Sequence, residues 1–258
     1  NICTAQALLA IMASLYGVYH GPEGLRAIAR RVRHMTQALR AGLLALGHTI
    51  GEDLTFDTLR VRVKGSSAGV LKAARDRGIN LRDFGDGTLG VTLDETSDRA
   101  LLADLLMAFG MPEREVGSKL DAFVDSARLD VPPALARTSA FMTHPVFNTH
   151  HSETEVLRYI CTLQDRDLSL ADSMIALGSC TMKLNATSEM LPVTWPELAN
   201  IHPFAPREQT RGYAELIARL EGWLSDVTGF PAVSMQPNAG SQGEYAGLLA
   251  IRAYHESR

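Results

Sequence analysis

Cysteine is scarce in this sequence. Cys3, Cys161 and Cys180 are the only three in 258 residues. An odd number without short, regular spacing builds no disulfide framework and fits a reducing compartment. No CxxC pair occurs, which removes a zinc ribbon. Long apolar runs are also missing. The longest, Ala5 to Val18, is broken by Gln6, Ser14 and Gly17 and is too short to span a bilayer, and no signal-peptide pattern is present. Neither charge forms a block: 25 Lys and Arg against 29 Asp and Glu are scattered to a net charge of −4. That distribution offers no footprint for a nucleic-acid polyanion. Position 1 is Asn1, and an apolar, helix-like run follows at once. We read this start as a cut, because the run would leave a bare apolar face.

The remainder is ordinary for a globular protein, with 46% apolar and 21% charged residues. The length suits one large domain or two modest ones. Ile2 to Tyr19 reads as a buried Ala/Leu-rich helix stopped by His20-Gly21-Pro22. A second helix is expected from Glu23 to Leu46, with Leu25, Ile28, Val32, Met35, Leu39 and Leu43 at helical spacing and Gly47 at its end. Phe56 to Val63 alternates as a strand, and Ser66 or Ser67 caps a short helix to Arg77. Ile79 to Phe84 and Thr88 to Leu93 read as a hairpin about Gly85-Asp86-Gly87, followed by a helix from Ser97 to Phe109. Periodicity is lost between Leu129 and Ser152, where prolines interrupt. Helices are expected again over 153–163 and 208–226, then a short strand over 232–235 and a helix to the end.

Three stretches concentrate chemistry. The first is a glycine-bearing loop, Asn238-Ala239-Gly240-Ser241-Gln242-Gly243-Glu244, between the expected strand and helix. Glycines allow close backbone approach, and the N–H groups of a helix start favour an anion. The loop is neither a Walker loop nor a dinucleotide fingerprint. A phosphate cradle and an ordinary strand-to-helix turn both fit it. The second is Gly178 to Asn185, where Ser179, Cys180, Thr181, Lys183 and Asn185 crowd donors and small nucleophiles together. Cys180 is either a nucleophile or a buried structural thiol. The third runs from His144 to Glu155, with histidines at 144, 150 and 151. Its spacing matches no metal motif, and Ser152 with Glu155 makes a capping box.

These stretches carry a resemblance. HPVFNTHHSETEVLRY, ALGSCTMKLNATSEMLPVTWPE and MQPNAGSQGEYAGLLAIRAYHESR closely resemble the glycine-cleavage P-protein family. The opening NICTAQALLAIMASLYGVYHGPEGL and the hairpin region ending GVTLDET resemble its N-terminal half. Nearly the whole chain is covered; Ile11 departs where the family is expected to carry Asn. The resemblance implies an α/β fold of the fold-type-I pyridoxal-phosphate (PLP) transferase-like class, here incomplete. Residues 1–128 would be the C-terminal part of the first half, a small α/β domain. Residues 129–151 would be the inter-half linker, and 152–258 the start of the second, PLP-binding half. The implied activity is decarboxylation of glycine, with transfer of the aminomethyl group to the lipoyl arm of H-protein. The implied partners are glycine, lipoylated H-protein and the other half or second subunit, with no nucleic acid and no membrane. The implied compartment is the cytoplasm of a bacterium, or the mitochondrial matrix if the source is eukaryotic.

By the same resemblance, Gly240, Ser241 and Gln242 match the loop at the phosphate end of the PLP site. Ser179, Cys180 and Thr181 match a loop on the substrate side, and His150 belongs near the same cleft. The family's Schiff-base lysine follows a histidine and precedes a glycine-rich run. The lysines here are Lys64, Lys72, Lys119 and Lys183, and none stands in that context. The lysine is therefore read as absent from the chain, and the chain alone is expected to be inactive. Two alternatives stay open: a non-catalytic half that pairs with a partner, and another fold-type-I amino-acid decarboxylase.

Overall fold

The computed structural model describes residues 4–51, 54–166, 172 and 186–258. Two compact units emerge: His20–His151, and Asn1–Tyr19 with Ser152–Arg258. The architecture is mixed α/β, with helices and one small antiparallel sheet.

Helix α1 spans Thr4–Ala45 and is broken at Gly21, whose φ of 62° and ψ of −178° lie outside helical space. Pro22 follows, with its fixed φ suited to a helix start. Gly47, at φ 86°, turns the chain out of α1, with its N–H bonded to the Leu44 carbonyl at 2.9 Å. The sheet has the order β1-β2-β4-β3, from Thr49–Ile50, Thr58–Arg62, Thr88–Thr92 and Arg82–Asp83, with β3 the last in that order. Every pairing is antiparallel. Strand β2 buries Leu59 and Val61 and exposes Thr58, Arg60 and Arg62, the alternation of a sheet covered on one side.

Helix α2 (Ser67–Arg75) starts at Ser66, whose Oγ accepts the Gly69 N–H at 3.1 Å. Helix α3 (Arg99–Ala108) starts at Asp98, whose carboxylate accepts the Leu101 N–H at 2.8 Å. Helix α4 (Glu113–Ser126) has no counterpart in the sequence reading. The core of this unit joins Met35, Leu39 and Leu43 of α1 with Leu59, Val61, Leu89 and Val91 of the sheet. Val70 of α2, Leu102, Leu105 and Leu106 of α3, and Leu120 of α4 complete it. Burying each such side chain contributes about 1.5–3 kcal/mol.

Two arginines of α1 fasten loops to this core. Arg31 donates to the carbonyls of Glu95 (2.5 Å) and Ser97 (2.7 Å). Arg33 donates to those of Thr55 (2.5 Å) and Asp130 (2.7 Å). The segment 129–151 carries two short 3-10 turns, Pro133–Leu135 and Pro145–Asn148.

The other unit is built differently. Its described elements over 152–258 include α5 (Glu153–Gln164), the short helices α6 (Thr187–Met190) and α7 (Pro196–Ala199), α8 (Arg211–Thr228) and α9 (Gly240–Glu256). None of the described residues in 152–258 is buried. Two expectations change here. The first part of α1 is helical but mostly exposed, with Leu9 67% and Met12 59% exposed and only Val18 buried among its described side chains up to Tyr19. Residues 232–235 run extended without forming a strand, because no neighbouring strand pairs with them among the described residues.

Candidate functional site

The glycine-bearing loop leads into α9. Ala239 is the residue before the helix, in extended conformation, and no side chain caps the helix there. The amides of Gln242 and Gly243 both donate to the Ala239 carbonyl at 3.0 Å, which forms the first turn. The Gln242 side chain folds back, and its Oε1 accepts the Asn238 N–H at 2.8 Å. A Cβ built on Gly240 or on Gly243 would meet nothing within 4 Å. The helix start is thus open in front of two glycines, with its polypeptide dipole positive at that end. That arrangement suits an anionic oxygen cluster. Helix α8, which precedes the loop, ends at Gly229 in left-handed conformation with φ 73°. The segment leading into the loop is tied to α8, since Glu221 Oε1 accepts the Met235 N–H at 2.9 Å.

The histidine-rich stretch belongs to the other unit. His144 precedes a 3-10 turn and its Nδ1 accepts the Val146 N–H at 3.2 Å. The Asn148 amide donates to the carbonyls of both Met142 and His144 at 3.0 Å, while Thr149 Oγ1 donates to the Pro145 carbonyl at 2.7 Å. Met142 sits at φ 51°, a conformation uncommon outside glycine. Sequence reasoning passed over Asn148, and it placed Gln242 in the phosphate loop without its bond to Asn238. A side-chain amide four residues from a backbone group closes a tight turn. His150 is half-buried and His151 exposed. Beside them lies Gly21: a Cβ there would stand 2.6 Å from both His151 Cε1 and the Phe147 carbonyl oxygen. After the stretch, Ser152 Oγ accepts the Glu155 N–H at 3.3 Å, the expected cap of α5.

Ser179, Cys180, Thr181 and Lys183 lie outside the described residues. His150 and the Gly240–Gln242 loop fall in different units. The three described lysines all belong to His20–His151. Lys72 pairs with Asp76 and Lys119 with Glu115, each at 2.6 Å, and the Lys64 stem packs over Gly47. Among the described residues no group of three His, Cys, Asp or Glu is placed to hold a metal ion, and no helix is long and apolar enough to cross a membrane. Cys161 is exposed and free.

An open, uncapped helix start on a mixed α/β chain can accommodate an anion but does not by itself name a ligand or a chemistry. Comparison with known proteins supplies the family. Residues 1–109 match the family model described as glycine cleavage system P-protein. Over 266 aligned positions the chain is 56% identical to the glycine dehydrogenase (decarboxylating) of Paraburkholderia xenovorans (strain LB400), an alignment that covers 100% of this chain and 27% of that relative. The chain belongs to the glycine cleavage system P-protein family, and it spans about a quarter of the length of the curated relative it matches.

Proposed function

We propose that this chain contributes the junction between the two halves of a PLP-dependent glycine decarboxylase of fold type I. Its residues 1–128 would belong to the first half, 129–151 to the connecting segment and 152–258 to the cofactor-binding half. The observation that carries this reading is the identity of 56% sustained over the full chain. The open apolar faces of α8 and α9, with Trp223 at 62% and Leu248 at 64% exposure, accord with helices that pack against further parts of such a fold.

The residues present fit one end of the cofactor. Gly240, Ser241 and Gln242 form the uncapped helix start, and the two glycines leave room for a phosphate to approach the backbone. When bound, PLP supplies the electron sink that makes loss of carbon dioxide from glycine feasible. The chain's part is to hold the phosphate and so fix where the ring lies. Gln242, by bonding the Asn238 N–H, holds the loop in the shape that leaves the helix start open. Ser179, Cys180 and Thr181 are assigned to the substrate side, with His150 near it, on the strength of the motifs alone. Lipoylated H-protein is the proposed acceptor of the aminomethyl group, and the cytoplasm of a bacterium the proposed compartment.

The test is exchange of labelled bicarbonate into glycine. The 258-residue chain supplied with PLP is expected to give none. A chain extended to the length of the relative is expected to give exchange that depends on lipoylated H-protein. Failure of the extended protein to act on glycine would reject the proposed activity. Exchange by the short chain alone would reject the view that its site is incomplete.

A further inference from the structure

The outer face of the four-stranded sheet carries a row of arginines about one aromatic ring. Gly90 of β4 lies between two neighbours in register, Arg60 on β2 and Arg82 on β3. Phe84 leaves β3 and folds back so that its ring covers Gly90; a Cβ at that glycine would come within 3.2 Å of Phe84 Cε2. Both guanidinium groups then stand against the ring, Arg60 Cζ at 4.3 Å and Arg82 Cζ at 4.6 Å from its centroid. Cation–π contact holds long, rotamer-rich side chains in place before any ligand arrives. Arg62, two residues along β2, projects from the same face.

Charge on this face is only partly answered from within. Arg60 is paired with Asp86 at 2.7 Å and donates to Thr88 Oγ1 at 3.0 Å, while Arg62 donates to the Asp86 carbonyl at 3.1 Å. Among the described residues neither Arg62 nor Arg82 takes part in an ion pair. The face therefore gathers three cations about the carboxylate of Asp86, with that of Asp57 at its far end, on a chain whose net charge is −4. Arginine and aromatic side chains together are the composition of interface anchors.

We propose that this sheet face docks a short, carboxylate-rich segment of a partner protein. Two carboxylates at alternate positions of an extended segment are spaced about 6.5–7 Å, the same as Arg60 to Arg62 along β2; a guanidinium can donate two parallel bonds to a carboxylate, and Arg60 keeps Nη1 outside its bonds to Asp86 and Thr88. A long polyanion is a poorer match. Asp57 lies just before Thr58 at one end of β2, and Asp86 lies in the turn at the other, so a continuous phosphate backbone would run over both carboxylates.

The experiment uses the 258-residue chain and a fluorescein-labelled hexaglutamate peptide, followed by anisotropy at low salt, with hexaglutamine as the blank. The variants are Arg82→Gln and Arg62→Gln, both outside the core and checked by circular dichroism. Each is expected to weaken hexaglutamate binding roughly tenfold, with added salt weakening the wild type as well. Arg82→Lys is expected to restore only part of the loss, since an ammonium keeps the charge but not the planar fork. Equal binding by the wild type and both folded variants would overturn the proposal. So would displacement of the peptide by a single-stranded 12-nucleotide DNA or by inorganic phosphate at lower concentration than by unlabelled hexaglutamate.

Discussion

Nδ1 of His48 accepts the backbone N–H of Lys64 at 3.1 Å, and this contact fixes which tautomer the buried ring adopts. With Nδ1 an acceptor, the proton is on Nε2, which donates to the Phe109 carbonyl at 2.9 Å. The ring also stands edge-on to Phe109, with centroids 5.2 Å apart. One side chain thus joins the end of α1, the strand exit after β2 and the end of α3. Replacing His48 by Ala leaves the part-buried Lys64 N–H and the buried Phe109 carbonyl without this partner, at about 1–3 kcal/mol for a buried group and less for the part-buried one. The variant is expected to lose about 1–3 kcal/mol in urea unfolding. Nitrogen-15 shifts of the wild-type ring should report the Nε2–H form; the opposite tautomer would contradict the bonding described.

Gly21 and Gly117 are expected to respond to alanine in opposite directions. Gly21 adopts φ 62° and ψ −178°, a region essentially reserved for glycine, and a Cβ there would lie 2.6 Å from a backbone oxygen, that of Phe147. Neither the dihedrals nor a backbone oxygen can yield cheaply, so Gly21→Ala should cost about 2 kcal/mol or more. Gly117 lies inside α4 with nothing within 4 Å of an added Cβ. Gly117→Ala should stabilise the chain by about 0.5–1 kcal/mol. Thermal unfolding of the two variants beside the wild type checks both signs.

The contrast between those glycines also marks what the sequence makes legible. Local rules suffice where a residue's own chemistry decides: Gly47 ending α1, Ser66 capping α2, Ser152 capping α5, and the turn about Asp86 that joins β3 to β4. They fail where another element decides. Strand β1 is two residues that pair only because β2 lies beside them. Helix α4 has Gly117 near its middle and a single fully buried side chain, Leu120, so its periodicity is weak. Residues 232–235 have strand composition but no paired neighbour among the described residues. At the candidate site, the loop before α9 reads equally as a phosphate cradle or a plain turn until the family motif is considered. Even then the hold of Gln242 on Asn238 is visible only in three dimensions.

Asp94 gives a pH-dependent prediction. Its Oδ1 accepts the Thr96 N–H at 2.9 Å, Thr96 Oγ1 at 2.7 Å, and the Ser97 N–H and Oγ at 3.0 Å. The hydroxyl of Thr96 is the largest influence, and with the other donors it outweighs the cost of partial burial, holding the carboxyl below its ordinary value of 3.8. Arg31 grips the same turn through the carbonyls of Glu95 and Ser97, so the turn is anchored to α1. The sign follows from linkage. A group whose folded pKa is depressed contributes stability that is complete above the unfolded value and is lost as pH falls through the folded one. The wild type should therefore lose stability progressively from about pH 4 downward. Asp94→Asn keeps the shape of the turn but carries no titrating charge. It should be less stable than the wild type at pH 7 and should converge on it as the pH is lowered towards 2. Chemical denaturation at pH 7, 4 and 2.5 measures the difference directly. A gap between the two proteins that stays constant across that range would show that the turn is held by the geometry of its hydrogen bonds and not by the charge of Asp94.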